Sequence, residues 1–407
     1  MKNFKKLSAL VLAGAMIFSL AACGGGNAET PAPEGTTPPE TTPAETTPVN
    51  TDYKVAMITD YGDITDQSFN QTTYEACQEF CTENNLEFTY YKPAGDNTAD
   101  RVAMVEAAIA DGYNVVVMPG YAFADTIKET AEIYPEVTFI ALDVGETDLN
   151  PLDAEGNPPA DPYVLPENLY CAVYQEELCG YMAGYAAVKL GYTHLGFLGG
   201  MAVPAVQRYG YGFVQGADAA AAELGNADSV TVEYVYGNQF NGDADITAYM
   251  DNWYQTLGVE IVFACGGGIY TSAAEAAAKV DGKVIGVDVD QAAIIDGAYG
   301  EGMTVTSAMK GLANTTKHLL QEVVDGNFAN YGGKIETLGL VSGDDPSVNY
   351  VQLPIESTQW SDTFTQEDYS ALVAGMFDKT ITVSNDVSVE PDAVASNITV
   401  NAYGNIK

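Results

Sequence analysis

Between an apolar run and a helix-like segment, residues 59–71 read TDYGDITDQSFNQ, which brings three carboxylates, a glycine, aromatic rings and side-chain amides together. Carboxylates accept hydrogen bonds, amides donate and accept them, and rings offer a flat apolar face. Similar chemistry recurs wherever an apolar run ends. KVAMITD ends on Asp60, NVVVMPG on Pro119-Gly120, VTFIALD on Asp143, HLGFLGG on Gly199-Gly200, EIVFACGGG on Gly266-Gly267-Gly268, and KVIGVDVD passes through Asp288. Glycines let a ligand approach the backbone closely, and the acids supply acceptors. Asp60, Asp143 and Asp288 could also be imagined as acid/base pairs for glycoside or nucleosidase chemistry. Acceptors in a binding site explain them with fewer assumptions, and there is no GxSxG elbow, P-loop or metal-spaced histidine set. No cofactor is expected. A zinc site is disfavoured, because the chain has no CxxC pair and its two histidines, His194 and His318, are far apart.

The elements that must position these groups follow from spacing. Strand-like runs begin at Lys54, Glu87, Asn114 and Val137, and again at His194, Val230, Glu260 and Lys283. The intervals are 33, 27 and 23 residues in the first set and 36, 30 and 23 in the second, as a duplicated βαβ plan would give. Segments such as ADRVAMVEAAIADG and TSAAEAAAKVDG lie between them with the i, i+3, i+4 apolar pattern of crossover helices. The fold class is therefore α/β, with two doubly wound parallel-sheet lobes and a ligand cleft between them, since open parallel sheets bind ligands outside their carboxyl ends. A helix starting near Asp66 would place Ser68, Phe69 and Asn70 at the mouth of the first sheet.

The N-terminus gives an address. MKNFKK precedes the apolar run LSALVLAGAMIFSL and then Leu20-Ala21-Ala22-Cys23, a charged n-region, an h-region and a small-residue cleavage site. Cleavage directly before cysteine resembles the bacterial lipobox, which implies a lipid on Cys23. An uncleaved transmembrane anchor is disfavoured because the run is shorter than the roughly 20 residues a spanning helix needs. Residues 27–50 are nearly all Thr, Pro, Glu, Ala and Gly, too poor in apolar surface to fold, and read as a tether. The whole chain carries a net charge of −40, and loss of Lys2, Lys5 and Lys6 with the leader takes it to −43. That field argues against nucleic acid, anionic lipid surfaces and phosphorylated ligands. Removing Cys23 from the six cysteines leaves five, an odd number, most of them expected as buried thiols.

The expected division is a leader at 1–23, a tether at 24–51, a first lobe from 52–172 plus 292–330, a second lobe from 173–291 plus 331–380, and an extension at 381–407 with no assigned role. In this scheme the segment after Gly302 returns to the first lobe. TITVSND and SNITVNAYGN are both strand candidates, and the Pro- and Asp-rich insert between Gly145 and Leu169 stands where it could border the cleft.

These motifs taken in order resemble one family. TDYGDITDQSFNQ is similar to the signature of the basic membrane protein family, roughly TDxGGxxDxSFNQ. GFLGGMAVPAVQRYGYGFVQG, FACGGG, VIGVDVDQ and TSAMKG resemble its later blocks, so the likeness runs from about Lys54 to Gly326. Its members are lipoproteins resembling type I periplasmic binding proteins, and the characterised ones resemble nucleoside receptors that feed ABC importers. The resemblance implies a monomer at the outer face of the cell membrane, with a nucleoside and permease subunits as partners. It implies that Asp60 hydrogen-bonds the base, that Phe69 stacks on it and that Asn70 is a polar neighbour. Asp143 would be the strand-end acid of the first lobe and Tyr209 the second stacking ring. Gly267 or Gly268 would lie against the ligand, and Asp288 and Lys310 would hold the ribose hydroxyls. The sequence departs from the pattern at Asp63, in place of a glycine, and at Tyr209, in place of a phenylalanine. Both bear on base preference, for which purine is expected. A sensory or adhesive lipoprotein of the same fold, or a receptor for another diol such as a sugar, would carry the same features.

Overall fold

The computed structural model describes residues 52–153 and 155–407, so the leader, Cys23 and the tether lie outside the described residues. Each of the eight strand-like runs of the two repeats becomes a strand. The first sheet contains β1 (Lys54–Ile58), β2 (Glu87–Tyr91), β3 (Val115–Pro119), β4 (Thr138–Leu142), β5 (Leu169–Tyr174) and β11 (Lys334–Leu338), in the order β11-β5-β4-β3-β1-β2. The second contains β6 (His194–Gly199), β7 (Thr231–Tyr236), β8 (Ile261–Cys265), β9 (Lys283–Asp288), β10 (Thr304–Lys310), β12 (Val351–Gln352) and β13 (Thr399–Asn405), in the order β12-β10-β9-β8-β6-β7-β13. Every pairing is parallel except that of β10 with β12. Central strands β3 and β8 are buried at every residue, as parallel strands covered on both faces must be.

Helices α1 (Phe69–Glu83), α2 (Thr98–Ala110), α3 (Ala124–Thr130) and α4 (Glu146–Leu149) link the strands of the first sheet. Helix α5 (Glu176–Lys189) leads from β5 of the first sheet to β6 of the second, α6 (Pro204–Leu224), α7 (Ala244–Asn252), α8 (Tyr270–Ala277) and α9 (Ala292–Tyr299) link the strands of the second, and α10 (Leu312–Val324) and α11 (Gln366–Phe377) follow. Among the described residues no helix is long and apolar enough to cross a membrane. Cys77, Cys81, Cys171, Cys179 and Cys265 are buried free thiols.

Helices α5 and α6 meet through glycines. A Cβ added at Gly180 or Gly184 of α5 would lie 2.1 Å from the Tyr209 carbonyl oxygen or 2.0 Å from that of Phe213. One at Gly212 or Gly216 of α6 would lie 2.0 Å from the carbonyl oxygen of Glu177 or of Tyr181. Only residues without a Cβ permit backbones this close. The contact sets Glu176 and Arg208, near the starts of the two helices, in register with each other.

Four expectations about organisation change. Strand β10 pairs with β9, so residues 292–310 belong to the second lobe and not the first. The chain crosses at Lys310-Gly311, after which α10 packs on α1 within the first lobe and β11 pairs with β5, so 331–338 complete the first lobe instead of joining the second. The earlier crossing falls after Tyr174, because LYCAVY, at the end of the Pro-rich insert, forms β5. Residues 380–386, TITVSND, form no strand, whereas β13 adds a parallel edge strand beside β7. Helix α1 begins at Phe69, with Ser68 in the N-cap position. Asp66 still caps it from two residues upstream, its carboxylate accepting the backbone N–H groups of Ser68, Asn70 and Gln71 and the Asn70 side-chain amide.

Candidate functional site

The carboxyl ends of both sheets line one cavity of about 590 Å³. All nine candidate residues, Asp60, Phe69, Asn70, Asp143, Tyr209, Gly267, Gly268, Asp288 and Lys310, lie in its wall.

Asp143 follows β4 and Asp288 ends β9, the fourth strands of the two repeats, and both adopt left-handed backbone, φ 58° and 64°. A non-glycine residue there costs on the order of 1–2 kcal/mol, and such strain collects at binding sites. Between the two acids stands Lys310, at the end of β10. Its ammonium lies 2.6 Å from Asp143 Oδ2, 3.4 Å from Glu176 Oε1 and 3.8 Å from Asp288 Oδ1. It also sits 4.8 Å from the centroid of the Phe69 ring, 5.4 Å from that of Tyr174 and 5.7 Å from that of Tyr209. Burial works against this charge, but Asp143, Glu176 and Asp288 hold the lysine pKa above its ordinary value. Burial pushes the Asp143 carboxyl up; Lys310 pulls it back, Glu176 raises it again, and it comes to about 6. Arg208 Nε donates to the other oxygen of Glu176 at 2.7 Å, completing a buried cluster of three acids and two bases.

Several bonds cross between the lobes. Ser68 Oγ donates to Asp288 Oδ2 at 2.5 Å, Gln291 Nε2 donates to the Gln67 carbonyl at 3.1 Å, and Lys310 reaches Asp143. At the mouth, the hydroxyls of Tyr61 and Tyr121 both lie 3.7 Å from Met201 Sδ, and the Tyr61 ring faces Phe240 with centroids 6.2 Å apart.

The base end of the expected site is built on β1. Asp60 is buried, and its Oδ1 accepts the backbone N–H groups of Tyr61 and Gly62, each at 2.6 Å. Burial raises its pKa, and those hydrogen bonds act against the rise. Gly120 backs the carboxylate so closely that a Cβ there would lie 2.8 Å from Asp60 Oδ2. Gly267 and Gly268 line the cavity and also pack on the Phe240-Asn241 loop, where a Cβ at Gly267 would approach the Phe240 carbonyl to 3.1 Å. Tyr209 is only 2% exposed. Its ring packs edgewise on Phe263, and its hydroxyl reaches Asp288 Oδ1 and the Ala308 carbonyl, each at 3.4 Å. It supports Asp288 from beneath, and Phe240 is the second-lobe ring that faces an aromatic of the first.

Sequence reasoning missed Tyr61, Tyr121, Phe240, Glu176 and Arg208, and put Ser68 at the mouth of the first sheet without giving it a role. Tyr61 and Ser68 stood inside the opening stretch. Glu176 and Arg208 lie at helix starts 32 residues apart, and only the glycine-mediated approach of α5 and α6 brings them together. Of the Pro-rich insert, the α4 residues Glu146, Thr147 and Asp148 line the cavity.

Residues 53–359 match the family model of the PnrA-like ABC transporter substrate-binding proteins, designated Bmp, so the chain belongs to that family. The ABC transporter nucleoside-binding protein BmpA of Lactococcus lactis subsp. cremoris is 27% identical over 312 residues, 72% of this chain and 80% of that one. Basic membrane protein B of Borreliella burgdorferi is 25% identical over 295 residues, 71% and 79% of the two chains. Among solved structures, an ABC transporter solute-binding protein from Aeropyrum pernix K1 superposes with a TM-score of 0.59 at 20% identity, covering 81% of this chain and 87% of the other. One from Conexibacter woesei gives 0.59 at 21%, covering 82% and 99%. These likenesses bear out the expected family and the type I periplasmic-binding fold. The protein is a binder, not an enzyme; it acts outside the cytoplasm and has an ABC permease as its partner.

Proposed function

From this membership, we propose that the protein captures a nucleoside, preferentially a purine, between its lobes and delivers it to an ABC importer, held at the membrane by a lipid on Cys23. The observation that carries this reading is the convergence of Asp143, Asp288 and Lys310 from opposite lobes at the centre of an aromatic-walled cavity. A nucleoside is a flat π-face joined to a vicinal diol. Asp288 can accept from both hydroxyls, replacing the one it now takes from Ser68, and Lys310 orients Asp288 while donating to the sugar. Hydrogen bonds to charged groups contribute about 1.5–3 kcal/mol each. Asp60 and Asn70 then meet the base edge, and rings from the two lobes close on its faces, each stacking contact worth roughly 1–3 kcal/mol. Since these groups come from both lobes, the ligand stabilises the closed cleft and so marks the loaded receptor for its permease.

Calorimetric titration of unfolded-and-refolded, ligand-stripped protein with inosine, adenosine, guanosine, cytidine and uridine tests the reading. Saturable one-to-one binding, tighter for the purines, is expected. Absence of heat with all five removes the nucleoside claim.

A further inference from the structure

The cavity is longer than the candidate residues need. Along the first sheet the strand order is β2-β1-β3-β4-β5-β11, with neighbouring strands about 4.8 Å apart. Asp60 follows β1 and Asp143 follows β4, so a ligand held by both spans two strand intervals, about 10 Å. The cavity wall continues two intervals further, to Val173 on β5 and Thr337 on β11. Of the nine candidates only Lys310 approaches that part, its ammonium 5.4 Å from the Tyr174 ring at the end of β5.

The second lobe adds Arg208, held by Glu176 just after β5, and Asn385 of the C-terminal strap (residues 380–398), which follows Ser384 on Gln215, two turns beyond Arg208 along α6; both line the cavity. The strap lies beyond residue 359, where the family match ends. It is nonetheless fixed on both sides of Asn385. The Gln215 amide pairs reciprocally with the backbone N–H and carbonyl of Ser384, both at 2.9 Å, and the Tyr211 hydroxyl donates to the Val389 carbonyl at 2.6 Å. Further along, Asp218 accepts the backbone N–H groups of Ser396, Asn397 and Ile398, and β13 joins the sheet. The strap is thus a rigid part of the second lobe. The side chains of Asn385, Thr147 and Thr337 line this compartment and make no hydrogen bond within the described residues.

We infer that this compartment is a second subsite, in which Asn385 contacts a polar, uncharged extension on the sugar end of the ligand. The inference rests on the nucleoside reading. With the base at Asp60 and the diol at Asp288, the sugar atom left free to carry an extension is C5′. The free groups are an amide and two hydroxyls, which suit a hydroxyl- or amide-bearing substituent. A phosphate is disfavoured, because Glu146 and Asp148 line the same region and Arg208 is already neutralised by Glu176.

The test takes the purine nucleoside that binds best and compares it, by calorimetry on the full chain, with its 5′-N-ethylcarboxamide and its 5′-monophosphate. Wild-type protein is expected to bind the carboxamide within about threefold of the parent and the monophosphate at least tenfold more weakly. Asn385→Ala should weaken the carboxamide alone by roughly 2- to 10-fold, the loss of one neutral hydrogen bond. Asn385→Trp should fill the compartment and weaken the carboxamide more than tenfold, with the parent unaffected and the melting transition unchanged. A carboxamide bound more than tenfold more weakly than the parent by wild type, or Asn385 variants that treat the two ligands alike, overturns the subsite and leaves the nucleoside reading standing. Failure of the wild type to bind any nucleoside overturns the nucleoside reading itself, and the subsite with it.

Discussion

Replacing Lys310 by methionine removes the charge on which three buried acids converge. The ammonium contacts Asp143 at 2.6 Å, Glu176 at 3.4 Å and Asp288 at 3.8 Å, and only Arg208 remains to compensate them. Removing one partner of a buried ion pair costs about 3–5 kcal/mol, so a loss of that size in unfolding free energy is expected at pH 7.5. The deficit must depend on pH. In the wild type, burial raises the Asp143 pKa from 3.8 to about 6. A raised carboxyl binds its proton more tightly folded than unfolded, so its contribution to stability is full below pH 3.8 and lost as pH rises through 6; the amount is about 3 kcal/mol, at 1.36 kcal/mol per unit. Without Lys310 the carboxyl rises further. Each added unit widens the gap between variant and wild type by about 1.4 kcal/mol above pH 7 and leaves it unchanged at pH 5, where Asp143 is protonated in both folded proteins. Urea unfolding of both proteins at pH 7.5 and pH 5 measures this directly. A variant as stable as wild type at pH 7.5, or a deficit equal at both pH values, would refute the charge-cluster argument.

Other consequences can be checked separately. Asp288→Ala should weaken nucleoside binding by roughly 10²- to 10⁴-fold, the loss of two hydrogen bonds to a charged group, while the melting transition stays cooperative; retained affinity in calorimetry would remove the diol role. Phe240→Ala should weaken binding by roughly 5- to 150-fold, the worth of one stacking contact, in the same titration. Gly212→Ala places a Cβ 2.0 Å from the Glu177 carbonyl, so urea unfolding should report a loss of about 1–3 kcal/mol. Nucleoside affinity should fall with it, because Arg208 and Tyr209 ride on the same helix.

The duplicated plan was legible because most of its strands are short apolar runs closed by a glycine or an acid, and that punctuation survives in a single sequence. The site acids were legible for the same reason. Asp60, Asp143 and Asp288 stand where parallel strands stop, the first two separated by two strand intervals of one sheet and the third at the end of a strand of the other. What local pattern could not reveal was pairing over long separations. TVTSAM suits either sheet, and only its registry with β9 assigns it to the second lobe. LYCAVY followed a polar insert and lacked a partner of equal spacing, so β5 went unassigned. Tyr209 and Phe240 differ in role because the close approach of α5 and α6 buries the first ring under Lys310, while the Gly266–Gly268 run makes room for the second at the cleft. Neither effect is written in the neighbouring residues.

A crystal structure of the protein with the best-binding purine nucleoside tests the central claim most directly. The account predicts the base between rings of the two lobes beside Asp60, with the ribose hydroxyls on Asp288 in place of Ser68 Oγ and Lys310 still between Asp143 and Asp288. A nucleoside seated outside the cleft, or one inside it with its diol turned away from Asp288, would contradict it.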